Sequence, residues 1–296
     1  MKNNLIIAGL GEILWDIFPD NRRPGGAPAN FIYHIQQLGY SGKIISAVGQ
    51  DKLGNEILDW LEKKGLDESY ITKSKQYSTG RVEVKLDSGG EPEYNIIENV
   101  AWDYLPYSTK IEELAPKVSA VCFGSLAQRN QQSRETIQQF LQHTANDCIK
   151  IFDINLRQNF YTKDLIIKNL KITNILKLNT DELTEIAEMF SIQGSEDKQL
   201  HQILHKYDLD LIALTKGSHG SRLFSNHESS YLKPLDTKIK DTVGAGDSFT
   251  AGLVSGLLRD LPLKQCHTNA NLLASYVCSK SGATPTFPPR ILSKIS

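Results

Sequence analysis

This chain of 296 residues carries 33 Lys and Arg against 34 Asp and Glu, a net charge of −1, with 40% hydrophobic and 23% charged residues. That composition argues against long disorder, and the near-zero charge gives no global pull toward nucleic acid or an anionic membrane. The length allows two domains, or one large α/β domain with an insertion.

The first apolar run, Leu5 to Leu10, is short for a signal-peptide core and no small-residue cleavage site follows it. It reads as a buried strand over Leu5–Gly9. Gly9-Leu10-Gly11 then hints at a dinucleotide fingerprint, but Leu14 stands where the third glycine belongs. Asp16, after Trp15, is placed to accept hydrogen bonds from paired hydroxyls. Arg23-Pro-Gly-Gly-Ala-Pro-Ala-Asn30 leads into a helix over Ala29–Leu38. Its Gly-Gly pair permits close backbone approach, and Asn30 offers both a donor and an acceptor, the groups that read neutral sugars. The same residues also make an ordinary loop and helix start.

A strand over Lys43–Val48 and a helix over Leu53–Lys64 follow. Residues 77–104 break the rhythm: alternation around Val82–Leu86, a Ser88-Gly89-Gly90 turn, then Tyr94–Ile97. This is a hairpin signature, either a lid over a site or a plain edge hairpin. Strands are then expected at Ala120–Phe123, Ile149–Asp153, Ile175–Leu178 and Leu211–Thr215. Helices are expected at Ser133–Ala145, Thr180–Phe190, Lys198–Tyr207 and Asp247–Leu258. Alternating strands and helices predict an α/β fold with a mainly parallel sheet covered on both faces.

Cys122, Cys148, Cys266 and Cys278 form no CxxC pair, so they read as reduced thiols of a cytoplasmic protein rather than a zinc or redox site. No apolar stretch approaches a membrane span. His201 and His205 have metal-compatible spacing, but Gln202 replaces the glutamate of an HExxH motif, which favours a solvated helix face. There is no GxSxG elbow and no basic-aromatic stripe for nucleic acid.

The richest segment is Asp241-Thr-Val-Gly-Ala-Gly-Asp247. Gly244 and Gly246 let the main chain approach a ligand, and the following helix start aims N–H groups at one point, an anion hole. Asp247 reads either as an N-cap or as a base placed where a phosphate would bind. No segment fits a Walker A loop.

Gly25-Gly-Ala-Pro-Ala-Asn30 and Asp241–Asp247 together resemble the two signatures of the ribokinase-like, pfkB-type carbohydrate kinases. Asn179-Thr-Asp-Glu182 resembles the family's Asn-x-x-Glu motif, and Thr215-Lys-Gly217 its nucleotide-proximal strand end. Gly11-Glu12, Trp15-Asp16 and Asp153-Ile-Asn155-Leu-Arg157 look most like fructokinases, although many relatives carry proline where this chain has Ile154. The resemblance spans nearly the whole chain. It implies one three-layer α/β/α domain over 1–296, with a small β-lid from roughly 12–20 and 77–104.

The resemblance implies transfer of the γ-phosphoryl of ATP to a sugar hydroxyl, with D-fructose first. Asp247 would be the general base, and the amides of Gly244, Ala245 and Gly246 the anion hole. Asp16, Gly26, Asn30 and Arg157 would bind the sugar. Asn179 and Glu182 would orient Mg²⁺ through waters, and Thr215, Gly217 and Asn271 would line the nucleotide. Asp241, Val243, Gly282 and Thr286 correspond to ligands of a monovalent cation, K⁺. Trp102 would line the sugar pocket or pack in the lid, and a homodimer through the lid is implied. The rival readings are a ribose, ketodeoxygluconate or nucleoside kinase of the same family, a silent sugar- or nucleotide-binding protein, and a nicotinamide-dependent oxidoreductase.

Overall fold

Short apolar runs rich in Ile, Val and Leu pair side by side in this chain because both of their faces can be buried. A computed structural model describes residues 5–86 and 92–295. The strands are β1 Ile6–Leu10, β2 Leu14–Ile17, β3 Arg22–Gly25, β4 Ser41–Gly49, β5 Ile71–Ser74, β6 Gly80–Leu86, β7 Pro92–Ile96, β8 Val118–Phe123, β9 Ile149–Asp153, β10 Ile175–Asn179, β11 Leu211–Thr215, β12 Ser221–Phe224 and β13 Ser229–Leu232. The helices are α1 Ala27–Gln37, α2 Lys52–Lys63, α3 Thr109–Leu114, α4 Gln131–His143, α5 Lys163–Leu170, α6 Thr180–Phe190, α7 Glu196–Lys206, α8 Ala245–Leu257, α9 Leu263–Cys278 and α10 Pro289–Leu292.

The large sheet has nine strands in the order β13-β12-β11-β10-β9-β8-β1-β4-β5. All neighbours from β11 to β5 run parallel, and β12 and β13 are added antiparallel at one edge. Side chains alternate between two cores. Ala8, Leu10, Phe152, Leu176 and Leu178 face α3 to α7. Ile7, Ile151 and Ile175 face α1, α2, α8 and α9. Among the described residues, no helix is long and apolar enough to cross a membrane.

A separate sheet, β3-β2-β6-β7, carries the hairpin. Its β2 pairs antiparallel with β3 and parallel with β6. The small sheet therefore draws on Arg22–Gly25 as well as on Leu14–Ile17 and the hairpin. The Ser88-Gly89-Gly90 turn lies outside the described residues. Trp102 is a packing residue: it is 1% exposed, and the Arg129 guanidinium lies 4.2 Å from its ring centre.

Candidate active site

The polar residues singled out in the sequence gather at the carboxyl ends of the parallel strands, where open α/β sheets bind ligands. Asp153 ends β9, Asn179 ends β10 and Thr215 ends β11. Glu12 follows β1, and the first turns of α1 and α8 come in from the same side, bringing Asn30 to Asp247.

Asp247 is not the N-cap of its helix. The cap is Gly244, in the left-handed region at φ 77°, and Asp247 is the third residue of α8. A side chain at Gly244 would press its Cβ to 2.6 Å from Ala283 backbone atoms, so only glycine fits both the angle and the space. The Asp247 side chain turns to α1 instead, where Asn30 Nδ2 donates to its Oδ2 at 2.9 Å. Burial lifts the Asp247 carboxyl to about 6, and the Asp153 carboxylate adds to this. The Asn30 bond, the Lys177 ammonium and Arg157 pull the other way. Of the three loop amides, that of Ala245 folds back onto the Thr242 carbonyl at 3.2 Å. Gly246 lies in the first turn, where N–H groups have no acceptor within the helix.

Lys177 is a site residue that the sequence reading missed. It occupies the α8 face of β10, between positions that hold apolar side chains, and is 8% exposed. Its Nζ donates to Asp153 Oδ1 at 2.9 Å. A Cβ on Gly246 would come within 2.8 Å of that Nζ, so the ammonium lies directly under the anion loop. Burial lowers its affinity for the proton, but the Asp153 and Glu182 carboxylates outweigh this and hold it up to about 12. The only trace in the sequence is one lysine inside an otherwise apolar strand.

Asn179 and Glu182 show the expected helix-start pattern. They form a capping box: Asn179 Oδ1 accepts from the Glu182 amide at 2.9 Å, and Glu182 Oε2 from the Asn179 amide at 2.7 Å. Glu182 Oε1 also accepts from the Leu156 amide at 3.0 Å, which pins the loop carrying Arg157. That loop is sharply curled, with Asn155 at φ 44° and Gln158 at φ 47°. Gln158 Nε2 donates to the Tyr94 carbonyl of β7 at 3.0 Å, linking loop to lid. Arg157 is exposed, and its Nη1 donates to the Leu156 carbonyl at 2.9 Å.

Asp16 stands opposite Arg23 in the β2–β3 register. Burial raises its carboxyl to about 6 against the pull of Arg23 and Arg157. A Cβ on Gly25 would lie 2.5 Å from Asp16 Oδ2, so this carboxylate overhangs the Gly25-Gly26 loop.

Thr215 Oγ1 donates to the Leu178 carbonyl at 3.4 Å, and Gly217 sits at φ 53° with open space beside it. Asn271 is 8% exposed and its amide donates to the Lys233 carbonyl at 2.9 Å, so it anchors the segment after β13. Asp241, Val243 and Gly282 cluster: the Asp241 carboxylate accepts from the Val243 amide at 3.1 Å and the Gly282 amide at 2.9 Å. It also pairs with Arg23 at 3.2 Å. The Thr286 carbonyl accepts from Tyr276 at 3.0 Å, and its hydroxyl lies 3.4 Å from that of Tyr33.

Comparison with known proteins identifies the family. Residues 19–290 match the pfkB family of carbohydrate kinases. An uncharacterised sugar kinase of Pyrococcus horikoshii is 29% identical over 300 residues, covering 95% of this chain and 92% of that protein. The fructokinase of Salmonella typhimurium is 25% identical over 292 residues, covering 93% and 92%. The crystal structure of the Pyrococcus protein in complex with ATP superposes with a TM-score of 0.84 at 26% identity, covering 99% of this chain and 100% of that one. A fructokinase from Xylella fastidiosa shares the fold, with a TM-score of 0.85 at 19% identity and 98% of each chain covered. The chain belongs to the pfkB family of carbohydrate kinases and is a phosphotransferase.

Proposed function

We propose that this chain is a fructokinase that moves the γ-phosphoryl of ATP to a hydroxyl of fructose. The observation that carries the reading is Asp247, a half-buried carboxyl held by Asn30 at 2.9 Å beside the Gly244–Gly246 loop. As the sugar oxygen bonds to the γ-phosphorus, its proton passes to the Asp247 carboxylate. The bond from that phosphorus to the bridging oxygen breaks, and ADP leaves with the electron pair. Phosphoryl transfer depends on positioning and charge stabilisation more than on covalent chemistry. The Gly246 amide and the Lys177 ammonium below it face the charge that develops.

Asp16, Gly26 and Asn30 surround the sugar, with Arg157 on the open side. Thr215, Gly217 and the segment anchored by Asn271 line the nucleotide. Asp153, Glu182 and Asp247 outnumber Lys177 in this buried cluster, an excess of negative charge that suits a divalent cation. Asn179 and Glu182 would hold Mg²⁺ through water, because both Glu182 oxygens already accept backbone N–H groups. When bound, Mg²⁺ supplies positive charge to the ATP phosphates. K⁺ fits less well, since Asp241 is already paired with Arg23 and two amides.

The named fructokinase relatives favour fructose over the other sugars of the family. The exposed edges of the lid sheet support pairing with a second copy. All four cysteines are free, which supports a reducing, cytoplasmic setting. Incubation with Mg-ATP and a panel of fructose, ribose, ketodeoxygluconate and nucleosides tests the reading. Fructose phosphate is the expected main product. A higher kcat/KM on another acceptor would replace fructose, and the absence of any sugar-dependent ADP would overturn the kinase reading.

A further inference from the structure

Helix α1 makes polar contacts along one face. Asn30, His34 and Gln37 stand at helical spacings of four and three residues. Asn30 holds Asp247, and the other two reach residues 283–287, an irregular segment between α9 and α10. Gln37 Oε1 accepts from the Phe287 amide at 2.7 Å, and its Nε2 donates to the Pro285 carbonyl at 3.3 Å. His34 is completely buried, with Nε2 2.9 Å from the Ala283 carbonyl oxygen. A carbonyl oxygen only accepts, so this ring nitrogen carries the proton. The imidazole stacks on Phe287, with 5.1 Å between ring centres.

The same carbonyl oxygen borders the anion loop. A Cβ on Gly244 would lie 2.6 Å from it and 2.6 Å from the Ala283 Cα, so the Gly244 cap of α8 rests directly on Ala283. At the other end of the loop, the Gly282 amide donates to Asp241 at 2.9 Å. The segment after α9 thus backs the loop at both ends, and His34 holds that segment at its contact with Gly244.

Histidine is a costly choice for this place. Its Nδ1 is buried with no hydrogen-bond partner among the described residues, and an unsatisfied buried acceptor is unfavourable. Burial also lowers the ring to about 4, so His34 is neutral near pH 7 and brings no charge. Leucine or phenylalanine would fill the space without the orphaned atom. What those side chains lack is the donor to Ala283.

We propose that His34 is a positioning residue for phosphoryl transfer: its bond to the Ala283 carbonyl seats that carbonyl against Gly244 and so fixes the start of α8, which carries the anion loop and Asp247. The inference rests on the proposed kinase function. Asn30 and His34, one turn apart, then hold the base and the loop from the same helix.

The test measures kcat, KM for the sugar and KM for ATP in H34L, H34F, H34N and H34Q. The Gln amide reaches the place of Nε2, the Asn amide falls one methylene short, and Leu and Phe have no donor. H34L, H34F and H34N are expected to lower kcat by about tenfold, the factor equivalent to one ordinary hydrogen bond. Both KM values should stay within about twofold, because the loop acts on the transition state. H34Q is expected to recover most of kcat. Equal kcat in H34N and H34Q, or a loss carried by KM instead of kcat, would overturn the proposal. Should the apolar variants not fold, the contrast between H34N and H34Q decides. Amide exchange is read on the same proteins at Gly282 and at Ser248, whose N–H donates to the Gly244 carbonyl at 3.0 Å. Faster exchange in H34N than in H34Q is expected, and equal exchange refutes the seating of the loop. That readout stands even if the wild-type protein phosphorylates no tested sugar, an outcome that would fault the function instead.

Discussion

Asp247, Glu12 and Asp16 are three carboxyls that folding makes harder to ionise, each because burial removes water from the charge. For Asp247 the consequence for rate is direct. A base must be deprotonated, so kcat/KM should rise with pH through about 6 and level off above it. Asn30 donates to the ionised form, so Asn30→Ala should move that limb to higher pH; an unmoved limb would assign it to another group. The consequence for stability has the opposite sign. A folded value above the ordinary 3.8 means that the native state holds the proton more tightly. The stabilising contribution of that proton is present at low pH and lost as pH rises through about 6. Asp247→Asn has no such proton to lose. The melting temperature of D247N relative to wild type should therefore climb between pH 4 and pH 7, read by thermal scans in matched buffers without ligand.

At the scale of elements, the sequence pattern located the strands that build the site. Ile149–Asp153 and Leu211–Thr215 coincide with their expected bounds, and α6 spans its expected Thr180–Phe190. These segments are apolar on both faces or strongly periodic, so their local signal and tertiary role agree. The elements that went unseen lack that agreement. β5, β12 and β13 are four residues each, and α9 mixes Thr, Asn and Ser among its apolar positions. The start of α8 was placed two residues late because an Asp at a helix start looks like a cap, whereas glycine holds the cap here. The site shows the same division. Gly244, Gly246 and Asp247 lie in one contiguous motif and were legible. Lys177 under Gly246 depends on a contact between distant segments that no local pattern encodes. The α8 start yields its own prediction. Gly244→Ala must strain φ 77° and push Ala283 away, so kcat should fall on the order of 10²–10³, as for loss of a fixed oxyanion donor. Turnover per folded molecule measures this, and a loss of less than about threefold would show that the loop tolerates the shift.

Across the whole molecule, the lid sheet and the α/β body meet at a buried charged junction. Arg129, 6% exposed in its side chain, binds both oxygens of Asp103 at 2.7 and 2.8 Å and the Ile97 carbonyl at 2.6 Å. Its guanidinium lies 4.2 Å from the Trp102 ring centre and 4.5 Å from that of Phe160. This one side chain thus ties the base of the lid to the loop that carries Arg157. Removing it strands the Asp103 carboxyl, and breaking a buried pair from one side costs about 3–5 kcal/mol. Arg129→Met should lower unfolding free energy in urea by that order. The double variant with Asp103→Asn should recover part of it; no recovery would mean that the stacking on Trp102, not the ion pair, holds the junction. The proposed function makes Asp247 the base for a sugar hydroxyl. The most direct measurement is steady-state turnover of D247A beside wild type, with Mg-ATP and fructose, on protein shown to be folded and to bind ATP. A loss of at least about a hundredfold in kcat with little change in KM for ATP is the expected result. Wild-type turnover in D247A would contradict the account.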